Sequence, residues 1–123
     1  MRQHGPRFPL VLATAAIAVV ALAGAAQAST THAAATTSQV KAGEFYFKLS
    51  AKSLAKPGKV TFIVKNAGHV SHDFRIDGKQ TPLLKPGSTA KLTVTFKKAG
   101  KYPYLCTVIG HAAAGMEGVF TVR

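Results

Sequence analysis

From Val40 onward, apolar side chains recur at every second residue in short runs separated by turns that carry Gly or Pro. Phe45, Phe47 and Leu49 alternate with Glu44, Tyr46 and Lys48. Val60, Phe62 and Val64 alternate with Thr61, Ile63 and Lys65, and Asn66-Ala67-Gly68 follows. Phe74 and Ile76 alternate with Asp73, Arg75 and Asp77 before Asp77-Gly78. Leu92, Val94 and Phe96 alternate with Lys91, Thr93, Thr95 and Lys97 after Pro86-Gly87. Tyr102, Tyr104 and Cys106 share a face after Ala99-Gly100, and Val119 to Val122 closes the chain. A period of two sends alternate side chains to opposite faces of a strand, so each run has one face to bury. The pattern therefore predicts an all-β domain over residues 40–123, a small antiparallel sandwich of six short strands. A minor helical turn at Pro82 to Leu84 is compatible with it.

The first residues obey a different rule. Arg2 and Arg7 precede an apolar stretch, Leu10 to Gly24, and Ala26-Gln27-Ala28 has the small residues of an export cleavage site. Residues 1–28 are expected to be a signal peptide, cut after Ala28. The competing expectation is an uncleaved anchor, because Pro9 to Ala28 is about as long as a bilayer-spanning helix. Arg2 and Arg7 are not adjacent, which points to the general secretory route rather than the twin-arginine one, and so to a periplasmic or extracellular destination. Residues 29–39, Ser-Thr-Thr-His-Ala-Ala-Ala-Thr-Thr-Ser-Gln, offer little to bury and read as a flexible leader, with His32 incidental to it.

After residue 28 the chain keeps 14 basic residues against Glu44, Asp73, Asp77 and Glu117, a formal net charge of +10. Export argues against nucleic acid as the reason for that surplus. The lysines are scattered rather than clustered, so they serve either as a solvated surface or as a steering field for an acidic partner.

An exported chain with one cysteine has nothing to pair it with, and the thiol is then a bridge to another chain, a reactive group or a ligand. Cys106 lies within eleven residues of His111 and Met116, the sole methionine besides Met1. A thiolate, an imidazole and a thioether are the donors of a copper ion that cycles between Cu(I) and Cu(II). A trigonal site needs a second imidazole, from His69 or His72. His72 opens the run Asp73 to Ile76 and would be fixed by sheet pairing, whereas His69 sits in the preceding turn, so His72 is assigned.

Asn66-Ala67-Gly68-His69-Val70-Ser71-His72-Asp73-Phe74, Gly100-Lys101-Tyr102-Pro103-Tyr104-Leu105-Cys106-Thr107-Val108-Ile109-Gly110-His111 and Gly115-Met116-Glu117-Gly118 together resemble the cupredoxins, the small blue copper proteins that include plastocyanin and azurin. The resemblance covers residues 40 to 123. It implies a two-sheet Greek-key β-sandwich with one type 1 copper on His72, Cys106 and His111, and Met116 as the weak axial ligand. It also implies one-electron transfer without bond chemistry, so that the protein is not an enzyme. The implied partner is an acidic redox protein such as a cytochrome c or an oxidase domain. It would approach an apolar collar formed by Val108, Ile109 and Ala112 to Ala114 around His111. The protein itself is expected to be a monomer, with peripheral membrane association if the signal is retained. The alternative function is copper carriage or delivery outside the cytoplasm.

Three positions depart from the family pattern. Asp73 stands where Asn is typical, and its carboxylate is expected to accept hydrogen bonds from the Thr107 hydroxyl or a backbone amide. Ile109 stands where proline is common, which predicts a less rigid loop. The gap of four residues between Cys106 and His111 resembles azurin rather than plastocyanin.

Overall fold

The computed structural model describes residues 35–123 without a break, and before them residues 5, 9, 15–21 and 23–27. The chain divides into two units, Met1–Thr31 and His32–Arg123. The described residues of the first carry neither helix nor strand. Arg2, Arg7, the cleavage point at Ala28 and the start of the leader, residues 29–34 with His32, lie outside the described residues. Among the described residues no helix is long and apolar enough to cross a membrane.

Among the described residues the second unit has nine strands: β1 (Thr36–Gly43), β2 (Tyr46–Leu49), β3 (Ser53–Leu54), β4 (Gly58–Asn66), β5 (Arg75–Ile76), β6 (Lys79–Gln80), β7 (Thr89–Phe96), β8 (Gly100–Leu105) and β9 (Glu117–Val122). They form two sheets, ordered β2-β1-β4-β7 and β3-β9-β8-β5-β6. Five of the six runs predicted from the period of two lie largely within strands, whereas of the run Asp73 to Asp77 only Arg75 and Ile76 are in one. The sheets are mixed rather than antiparallel throughout, because β1 runs parallel to β4 and β3 runs parallel to β9.

The three strands that the hydrophobic pattern missed have a physical explanation. β1 takes in Thr36 to Gln39, which composition had placed in the leader, and lies between β2 and β4. Its inward residues are Ser38, Val40 and Ala42, all at most 2% exposed, and two of the three are too small or too polar to register as hydrophobic alternation. Ser38 tolerates burial because its hydroxyl donates to Ala51 O (2.8 Å) and accepts from Ala51 N (3.2 Å). β3 and β6 have two residues each, too short to show any period.

Between the sheets lies a core of Val, Leu and Ile side chains around a cluster of aromatic rings. Phe62 has its ring centroid 5.2 Å from Phe74, 6.4 Å from Phe96 and 5.4 Å from Phe120, and all four side chains are at most 1% exposed. Full burial of each phenylalanine is worth roughly 1.5–3 kcal/mol relative to exposure. At one end Phe47 packs edge-on against Phe74 and Tyr104 (5.2 and 5.8 Å). Phe47 also packs against a smaller buried cluster of Ala42, Cys106 and Met116. It thus joins the structural core to the end of the sandwich where Cys106 and Met116 are buried together.

In the β8/β9 pair Tyr104 stands opposite Gly118. The phenol ring lies across Gly118, where any Cβ would collide with it. Gly118→Ala is expected to destabilise the fold by about 1–3 kcal/mol through overpacking, measured by urea unfolding; unchanged stability would show that the ring moves aside freely. Burial also pushes the Tyr104 phenol above its ordinary value. Folding therefore favours the neutral phenol. Its contribution to stability is complete below the unfolded value of about 10 and declines as pH rises through the folded one. Ultraviolet titration of the native protein should find this phenol ionising above its ordinary value, and an ordinary titration would contradict it.

Candidate metal centre

Each proposed ligand is tied down by its own backbone. His72 lies before β5 rather than in it, and is held by an isolated bridge to Leu84: His72 N donates to Leu84 O at 3.0 Å and Leu84 N donates to His72 O at 2.8 Å. The stretch Pro82 to Leu84 is thus a bridge partner and not a helical turn. Buried Asn66 supports the arrangement, its amide donating to Leu84 O (2.7 Å) and Val70 O (2.8 Å) and accepting from Gly68 N (2.9 Å). This explains why an Asn-Ala-Gly turn precedes the ligand. His69 projects outward with a 97% exposed side chain, apart from the ligand cluster.

Cys106 follows β8 and Met116 precedes β9, and Cys106 N donates to Met116 O at 3.1 Å. Between them the chain folds into tight turns. His111 N donates to Val108 O (3.0 Å), Gly115 N to Ala112 O (2.9 Å) and Met116 N to His111 O (3.1 Å). Gly110, with φ of +83°, supplies the left-handed residue just before His111. The expectation of slack at Ile109 meets a loop closed by hydrogen bonds instead of a proline.

The donor atoms converge. His72 Nδ1 is 3.1 Å from His111 Nδ1, and Cys106 Sγ is 3.6 Å from His111 Nδ1. One ligand atom from each of these three residues lies within 4.8 Å of the others. Donors bound about 2.0–2.3 Å from one ion stand roughly 3–4 Å from each other, so the spacing fits a single small cation. Cys106 and His72 are at most 1% exposed, and Met116, fully buried, shares the small cluster with Cys106. A soft thiolate with a buried thioether beside it and two imidazoles selects copper over harder ions. Burial pushes the Cys106 thiol up, partly offset by amide bonding around Asp73 and Val108, so metal uptake must displace its proton.

Behind the ligands stands a polar layer. Asp73, 3% exposed, accepts from Thr107 N at 2.6 Å and from the Thr107 hydroxyl. Both bonds expected from the sequence are present. Gln80 Nε2 adds a third to the same carboxylate at 2.9 Å. Glu44, at the β1–β2 connection, is a participant that sequence reasoning missed. Its Oε1 accepts from His69 N (2.6 Å) and Val70 N (3.0 Å) and lies 3.1 Å from His72 Nε2. The Val70 and His69 amides, chiefly, pull its carboxyl down to about 2. Its neighbour Phe45 sets a ring edge against His111, with centroids 4.9 Å apart. The alternation places Glu44 and Phe45 on a strand, and no local signal indicates that their turn folds over both histidines.

The profile of the cupredoxin-like domain matches residues 12–122. The chain belongs to the cupredoxin-like family. The copper-resistant cuproprotein CopI of Pseudomonas aeruginosa is 26% identical to this cupredoxin over 179 aligned positions, covering 94% of this chain and 99% of CopI. Reduced auracyanin from Roseiflexus castenholzii superposes with a TM-score of 0.65 at 23% identity, over 72% of this chain and 98% of that one. Auracyanin A, a "blue" copper protein of Chloroflexus aurantiacus, gives 0.63 at 22% identity, over 72% and 98%. At these identities the structural likeness is one of fold. Fold, family and the His-Cys-His donor set together are those of a type 1 copper protein.

Asp73 places a buried carboxylate against the residue that follows the cysteine ligand, which favours the more positive oxidation state. Asp73→Asn is expected to raise the reduction potential by on the order of 50 mV, since about 1 kcal/mol of lost charge interaction equals roughly 40 mV for one electron. An unchanged or lower potential in a redox titration would refute that role.

Proposed function

We propose that this cupredoxin is an exported one-electron carrier, with His72, Cys106 and His111 as strong copper ligands and Met116 as the axial one. The observation that carries the reading is that all four residues are held by backbone hydrogen bonds, from the His72–Leu84 bridge to the Cys106–Met116 contact. Ligands fixed in this way do not have to rearrange between oxidation states, which favours electron transfer over release of the ion. Copper bound there supplies a Cu(I)/Cu(II) couple. The chain's part is to keep water from the buried sulfur donors and to leave one imidazole near the surface.

That imidazole is His111, half-buried, whereas His72 is 0% exposed. Around it Ile109 is 99% exposed and Phe45 41%, with Ala113 and Ala114 also at the surface. The alanines therefore take part in a tight turn and also leave apolar side chains at the surface. All twelve lysines between residues 41 and 101 are exposed, in keeping with an acidic partner such as a cytochrome c or an oxidase domain, steered by long-range charge. The apolar leader and the A-x-A site support export to the periplasm or beyond, with the mature chain monomeric and without bond-making chemistry of its own.

The name of the CopI relative supports a second reading, a copper carrier that contributes to copper resistance. The two differ in how readily the metal leaves. An electron carrier should keep its copper through repeated reduction and reoxidation in the presence of a mild chelator. Loss of most of the metal after a few cycles would favour delivery. On the electron-transfer reading, Ala113→Glu should slow oxidation of the reduced protein by its partner several-fold while leaving the visible spectrum unchanged, as measured by stopped flow. Equal rates would rule out this face as the exit.

A further inference from the structure

We infer that Glu44 is a positioning residue for the copper centre, holding His72 in the tautomer that keeps its Nδ1 lone pair aimed between Cys106 and His111. The inference rests on the metal centre, not on whether it transfers electrons or delivers copper.

A neutral imidazole carries one proton, on Nδ1 or on Nε2, and can bind a metal only through the other nitrogen. Which nitrogen is free is decided by the partner of the protonated one. In His72 the two nitrogens face different worlds. Nδ1 looks toward His111 Nδ1 at 3.1 Å, and Nε2 toward Glu44 Oε1 at 3.1 Å. An ionised carboxylate only accepts hydrogen bonds, so the contact with Glu44 requires the proton on Nε2. His72 is fully buried, and no water competes for that proton.

Glu44 is itself fixed. The same Oε1 receives the amides of His69 (2.6 Å) and Val70 (3.0 Å), and Oε2 lies 3.6 Å from His69 Nδ1. Gly68 leaves room for this carboxylate, since a Cβ there would collide with it. One side chain from the β1–β2 turn thus ties the loop that precedes His72 and orients the ring of His72. A carboxylate behind a ligating histidine also makes the imidazole a stronger donor, which stabilises the more positive metal ion.

The role separates from simple loop support by a readout on the ring. In the metal-free protein, long-range nitrogen-proton NMR should find His72 wholly in the Nε2–H form. Glu44→Ala should give a mixture of the two tautomers and weaken Cu(II) binding by roughly 10–100-fold. Glu44→Gln keeps an acceptor oxygen and removes the charge. It should largely restore the tautomer and the affinity, with a reduction potential above that of the unsubstituted protein. If Glu44→Ala does not fold, Glu44→Gln decides, since an unchanged potential would contradict the proposal. A metal-free protein in which His72 carries its proton on Nδ1, or a Glu44→Ala variant with the original tautomer and affinity, would overturn it. Failure of the unsubstituted protein to bind Cu(II), with His72 in the Nε2–H form, would instead count against the copper reading and leave the tautomer assignment standing.

Discussion

The hydrogen bond from Cys106 N to Met116 O, 3.1 Å long, extends the β8/β9 ladder beyond the last strand residues. It makes the intervening segment a closed loop with Cys106 and Met116, the two candidate sulfur donors, at its base. Because β8 and β9 are neighbours in the middle of a five-stranded sheet, their separation at that end is set by the sheet. His111 is positioned by the turns above, and His72 is brought in from the other side by its bridge to Leu84. Remove the pairing and Cys106, His111 and Met116 are merely close in sequence. With it they occupy a volume that one copper ion fits.

Charge is distributed unevenly in this molecule. The sequence has four acidic residues against sixteen lysines and arginines, yet two of the four, Glu44 and Asp73, stand directly behind the ligand set. Asp73 is bonded to Thr107, the residue after Cys106, and Glu44 to His72. An anion on each flank of a site whose cargo is a cation lowers the cost of gathering positive charge in a buried cluster. The outward surface does the opposite, presenting exposed lysines to solution.

Much of this was legible beforehand because it depends on local chemistry. Alternation located the six runs that form most of the sandwich, and the unusual company of Cys106, His111 and Met116 marked the site. The sequence favours His72 over His69 for its expected anchoring, and the structure does anchor it, though by an isolated bridge. What stayed hidden depends on contacts between distant segments. β1 buries Ser38 and Ala42, whose side chains give no apolar signal, so half of it passed for a leader. Glu44 and Phe45 reach the histidines only because their turn folds over the end of the sandwich, a contact separated from His72 by 28 positions. Gln80 joins Asp73 and Thr107 through β6, a strand of two residues.

The central claim is that Cys106 coordinates copper as a thiolate in a cage shaped by the protein. Its most direct test is the visible and electron paramagnetic resonance spectrum during titration of the purified domain with Cu(II). An intense blue band that saturates at one equivalent, with the narrow copper hyperfine splitting of a covalent copper–thiolate bond, is the predicted result. A pale product with the wide splitting of an ordinary nitrogen- and oxygen-ligated Cu(II) would contradict it.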